Sequence, residues 1–184
     1  MEEKLSRYFN RTIEHIHRVH KNMFYLITNH QQDLKLSDEN CRELAYQVLN
    51  HDRSKFNKGQ YEPYVELTEY YHQRKKLGNK DYQYPSERIK EQVDKAVDNH
   101  YHNENHHPER YGTLARFSDL ETIEIICDLQ AMADEFGEGS CRGYFENTWL
   151  PKHNDKSSAL FIGYAYRVVL CFEKRIEQER VLKS

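Results

Sequence analysis

Apolar residues recur at three- and four-residue steps through most of the chain, the period of an amphipathic helix. Over residues 3–30 the step is kept by Ile13, Ile16, Val19 or His20, Met23 and Ile27, with no glycine or proline before Gly59. One long helix is predicted there. Ser37 suits the N-cap of a second helix, about 38–50, with Leu44, Ala45 or Tyr46, and Val48 or Leu49 inside. Gly59 and Pro63 break the pattern, and a third helix is expected over 63–77, ending near Gly78, where glycine fits a left-handed turn. A fourth starts at Ser86 and runs to about Tyr101 on Ile89, Val93, Ala96 and Val97. Ser118 with Glu121 reads as a capping box opening a helix over 119–136, ended by Gly137 and Gly139. A loop carrying Trp149 and Pro151 follows. The last helix, about 157–182, has an apolar first half (Leu160, Phe161, Ile162, Val168, Val169, Leu170) and a charged tail. No period-2 stretch of useful length occurs. The expected fold is all-α, one helical domain over 1–184, with a core at about 12–136 and the C-terminal helix packed on it.

Hydrophobic residues make up only 38% of the 184 and charged residues 31%, yet fourteen tyrosines supply buriable rings and argue against disorder. The net charge of -3 gives no general nucleic-acid signal, since backbone-binding domains are usually basic. Cys41, Cys127, Cys141 and Cys171 form no C-x-x-C pair, and Cys127 and Cys171 read as buried free thiols. No signal peptide opens the chain, and no apolar run approaches the ~20 residues needed to span a bilayer. A cytoplasmic, non-membrane protein is expected.

The chemistry concentrates in histidine. Four of eleven histidines fall within His100–His107, and neutral imidazole is the commonest protein metal ligand. Pro108 places His106 and His107 on a helix end or loop. His51-Asp52 is adjacent at a predicted helix end, where the pair can give two ligands to one metal. Upstream, His15 shares a helix face with Val19; His17 or His20 would serve if that helix were rotated. Downstream, Asp128 lies among Ile125, Ile126, Cys127, Leu129 and Met132, where a buried carboxylate needs a partner. His102 ranks behind His100. His72 reads as structural, and His30 and His153 as surface residues.

This order of residues resembles the HD-domain superfamily of metal-dependent phosphohydrolases: a histidine on one helix, a His-Asp pair on another, and a distant aspartate. His15, with valine four on, His51-Asp52 and Asp128 match those positions. His51-Asp52-Arg53-Ser54-Lys55 is similar to the His-Asp-x-Gly-Lys form of two-metal members, with Ser54 where those have glycine. Together with Phe56 and His106-His107-Pro108-Glu109, it looks most like an HD-like family of bacteria and their phages. The resemblance covers roughly residues 12–136.

The resemblance implies one or two divalent ions per chain (Mn, Fe, Co, Ni, Zn or Mg). His100, His106 and His107 would join the ligands in a two-metal site. Lys55, and with it Arg53, would hold a phosphate. Glu109 would orient water or a histidine, and Tyr101 and Tyr111 would line the substrate wall and stack on a base. The implied activity is hydrolysis of a nucleotide or related phosphate ester by metal-activated water. A non-catalytic metal-stabilised binding protein and a di-iron oxygenase of the same fold are the alternatives.

Overall fold

The computed structural model describes residues 2–153 and 159–183, and it is all-α, with no strand among those residues. The helices are α1 Glu2–His30, α2 Asp38–Leu49, α3 Tyr61–Tyr71, α4 Glu87–Asn103, α5 Asp119–Phe136, the short α6 Arg142–Tyr144 and α7 Leu150–His153, and α8 Ala159–Lys183. Their ends follow local chemistry. Ser37 Oγ accepts from the Asn40 N–H at 3.1 Å while Asn40 Oδ1 accepts from the Ser37 N–H at 3.1 Å, a reciprocal cap on α2. Ser118 and Glu121 do the same for α5, at 3.2 and 2.8 Å. Gly137 closes α5 at φ 72°, a left-handed position.

The all-α fold expected from the sequence is observed, and within it the chain sorts into two compact units, each discontinuous in sequence. One comprises Met1–Glu14 and Asp52–Glu104; the other comprises His15–His51 and Asn105–Ser184. In the first, α3 packs on α4 and the core is Tyr8, Tyr64, Val65 and Ala96, backed by Leu5, Phe9 and Val97. In the second, α5 packs against α2 and α8. Its core joins Val19, Met23 and Leu26 with Leu44 and Val48, Ile123, Ile126 and Cys127, and Val168, Val169 and Phe172. Helix α5 is buried on nearly all sides, as its apolar composition demands.

Four sequence expectations change. The buried stripe of α1 is Tyr8, Thr12, His15, Val19, Met23, Leu26 and His30, so Ile13 points out, 56% exposed, and His30 is buried rather than on the surface. Helix α3 starts at Tyr61, because Pro63 is tolerated within a first turn; beyond Tyr71 the chain widens into a π-turn, His72–Lys76. The segment expected as a loop around Trp149 and Pro151 is helical from Arg142 to His153, with a π-turn at Phe145–Trp149 just ahead of the proline. Proline withdraws a backbone donor from the turn before it, and such a widened turn is one way a helix absorbs the loss. In α8, Leu160 and Leu170 are exposed, and the buried face is carried by Phe161, Ala165, Val168, Val169 and Phe172.

Candidate metal centre

In the larger unit, four segments bring His15, His51, His106, Glu124 and Asp128 together. Glu124 and Asp128 are four residues apart on α5 and share a face. His51 follows the end of α2, its N–H donating to the Val48 carbonyl at 3.1 Å. His106 lies in the turn after α4, ended by Pro108. His15 comes from the buried stripe of α1.

His15 Nε2 is 3.0 Å from Asp128 Oδ1, and His51 Nε2 is 4.0 Å from the same oxygen. One ligand atom from each of His15, His51 and Asp128 lies within 4.8 Å of the others. Tetrahedral ligands with bonds of about 2.1 Å stand roughly 3.4 Å apart, so these separations bracket what a bound ion requires. Glu124 stands behind them. Its Oε1 is 3.0 Å from His51 Nδ1 and 3.4 Å from His106 Nδ1. An ionised carboxylate only accepts, so these contacts assign the proton to Nδ1 and leave Nε2 of each ring as the donor atom for a metal. The rings of His51 and His106 are 4.2 Å apart. Asp128 keeps 16% of its side chain exposed against 3% for Glu124, so Asp128 is the one solvent can reach.

The electrostatics match that division. Burial pushes both carboxyls up, but the neighbouring imidazoles outweigh it. Hydrogen bonds and charge from His106 and His51 hold Glu124 at about 2. Asp128 is likewise lowered, against burial, by the His15 hydrogen bond and by the charges of His15, His51 and His106. Both acids are therefore anions at neutral pH, the form a cation needs. The alternatives to His15 fall away on geometry: His17 is exposed, and His20 Nε2 sits 2.7 Å from the Val48 carbonyl, tying α1 to α2.

The smaller unit holds a second cluster around Asp52, the residue after His51. Asp52 is left-handed at φ 58°, a conformation aspartate tolerates better than most residues. Its Oδ2 accepts from Lys55 Nζ at 2.6 Å and its Oδ1 lies 3.2 Å from His100 Nε2. His100 Nδ1 is 3.4 Å from Ser54 Oγ and 3.9 Å from Glu104 Oε1. The Lys55 ammonium also sits over the Tyr64 ring, 5.4 Å from its centroid. Lys55 thus already holds an anion, the Asp52 carboxylate.

The remaining expected residues are placed as follows. His107 is half-buried with its ring 4.3 Å from that of His106. Tyr101 is half-buried on α4 beside His100, and Arg53 is exposed. The Tyr111 hydroxyl donates to Glu121 and so helps fix the start of α5. Glu109 lies 3.5 Å from Lys152 Nζ and 3.8 Å from His153 Nε2; the carboxylate that meets His106 is Glu124, not Glu109. The exposed His102 takes its own helix's Asp98 carbonyl at 2.9 Å. Glu124 is the residue that sequence reasoning passed over. Its signal was present: a carboxylate four before Asp128 in an apolar helix.

Among the described residues no helix is long and apolar enough to cross a membrane. No curated protein and no solved structure matches the chain. Residues 4–162 match the model of DUF5662, a family of unknown function, and the chain belongs to that family.

Proposed function

We propose that this protein is a metal-dependent hydrolase of phosphate esters, with a nucleotide or related compound as substrate. The observation that carries the reading is the convergence of His15, His51 and Asp128 within 4.8 Å, with Glu124 bracing His51 from behind. Two imidazoles and a carboxylate suit Mn, Fe, Co, Ni or Zn, with Mg kept as a weaker fit. A bound divalent ion lowers the pKa of water from ~15.7 toward ~7, which makes hydroxide available at neutral pH. The chain's own residues do the rest. Glu124 holds the histidine tautomer, and Asp128 holds position at the solvent-reachable side. Lys55, whose ammonium holds the Asp52 carboxylate at 2.6 Å, would bind a substrate phosphate. His106 and His107 are reserves for a second ion. The cytoplasmic setting is part of the same proposal and rests on four free thiols.

The test is phosphate release from nucleoside mono-, di- and triphosphates and cyclic dinucleotides with Mn, Co or Mg. Turnover that disappears with His51→Ala supports the reading; no release with any metal counts against it. One observation favours a second reading: the three ligands come from separate segments of one unit, so an ion there would also brace that unit. If chelation lowers Tm and no substrate turns over, the ion is structural.

A further inference from the structure

A second group of donors lies in the larger unit, on residues that the proposed hydrolase does not use. His30 is the last residue of α1, Asp33 lies in the turn after it, and Cys171 comes from α8. His30 and Cys171 are buried, 8% and 3% exposed. One ligand atom from each of the three lies within 4.8 Å of the others. A cleft of about 270 Å³ opens onto Asp33 and Cys171, and Arg167, Glu173 and Lys174 also line it.

His30 has a partner at each ring nitrogen. The Tyr25 hydroxyl, which also reaches the Cys171 carbonyl at 3.4 Å, lies 3.0 Å from Nε2, and Asp33 Oδ2 lies 2.9 Å from Nδ1. An ionised carboxylate only accepts, so a proton on Nδ1 bridges His30 to Asp33. A metal ion would take the place of that proton between Nδ1 and Asp33, with the ring proton moving to Nε2, where the Tyr25 hydroxyl can accept it. It would gain the Cys171 sulfur as a third ligand.

We propose that His30, Asp33 and Cys171 form a sulfur-containing site for a zinc-class divalent cation, separate from the His15, His51 and Asp128 centre. Thiolate, imidazole and carboxylate together favour Zn or Co over Mg or Ca. Binding breaks the Cys171 S–H bond, forms a sulfur–metal bond and releases the proton to solvent. Burial pushes the free thiol up to about 11, so without a metal it is a thiol at neutral pH. Lys174, now 3.6 Å from Asp33 Oδ2 and mostly exposed, is the cation the metal displaces. The open side of the cleft leaves room for water as a fourth ligand.

Cobalt titration of the full chain reads the site without reference to activity. A thiolate-to-cobalt charge-transfer band in the ultraviolet needs a sulfur ligand, which the His15, His51 and Asp128 set lacks. The band should appear in the wild type, survive His51→Ala, vanish in Cys171→Ser and need about tenfold or more cobalt in His30→Gln. No band in the wild type, or a band that persists in Cys171→Ser, overturns the proposal and leaves a proton between His30 and Asp33. Should Cys171→Ser lose its circular-dichroism signal, a second measurement on the wild type decides. Zinc should protect Cys171 from a small thiol reagent, mapped by mass spectrometry, and unchanged labelling overturns the site.

Discussion

Glu124 meets His51 and His106 through a single oxygen, at 3.0 and 3.4 Å, so its loss should be felt at the metal while the fold survives. Glu124→Gln keeps the volume and removes the charge. Metal affinity should fall about 10–100-fold, the usual cost of losing an orienting partner, with helical content unchanged; a competition titration against a chelator reads this. The same residue sets a pH dependence. Its folded pKa, about 2, lies below the ordinary 4.5, so it stabilises the fold above 4.5 and that contribution is lost as pH falls from 4.5 toward 2. Urea unfolding of metal-free protein at stepped pH should show a decline across that window in the wild type and a shallower one in Glu124→Gln. Lys55 belongs to a different step. Lys55→Ala should retain metal, because ammonium cannot ligate, but should lower kcat/KM for the best phosphate ester; unchanged turnover would reduce Lys55 to a partner of Asp52. Sequence neighbourhood misled at this scale. Glu109 is two residues from His107, yet the carboxylate at His106 comes from α5. His30 was read as exposed because one polar residue at a helix end says nothing about which way it faces, whereas the 8, 12, 15, 19 stripe places it inward.

Helix boundaries were legible where a capping side chain and a glycine frame an apolar run. Helix α5 is the case in point: Ser118, Glu121 and Gly137 mark 119–136 as observed. Ser118→Ala should cost about 1 kcal/mol by removing one half of that box, and a denaturant midpoint lower than wild type with an unchanged slope would show it. Helix α2 was legible for the same reason at Ser37. The segment 142–153 was not, because Gly143 and Pro151 both argue against helix while Phe145 and Trp149 stabilise it through burial, which no local pattern shows. On α1 the period held, and Val19, Met23 and His15 lie inward as expected, but Ile13 does not. Ranking Ile13 over Thr12 as an inward residue follows hydrophobicity, whereas the buried face here carries a polar site.

At the scale of the molecule, the all-α class followed from the absence of alternation, and the observed helices agree. The division into two units was not legible, because each unit is assembled from separated stretches, and α1 supplies residues to both. The His51–Asp52 peptide bond is one of the points where the chain passes from one unit to the other. The pair that carries the family resemblance therefore belongs half to each, with His51 braced by Glu124 and Asp52 held by Lys55 and His100. The central claim is that His51, with His15 and Asp128, holds a metal. Elemental analysis of untagged wild type and His51→Ala, purified side by side from metal-supplemented cultures, tests it most directly. The account predicts one transition-metal equivalent fewer per chain in His51→Ala, with helical content preserved. Equal metal content in the two folded proteins, or none in the wild type, would contradict it.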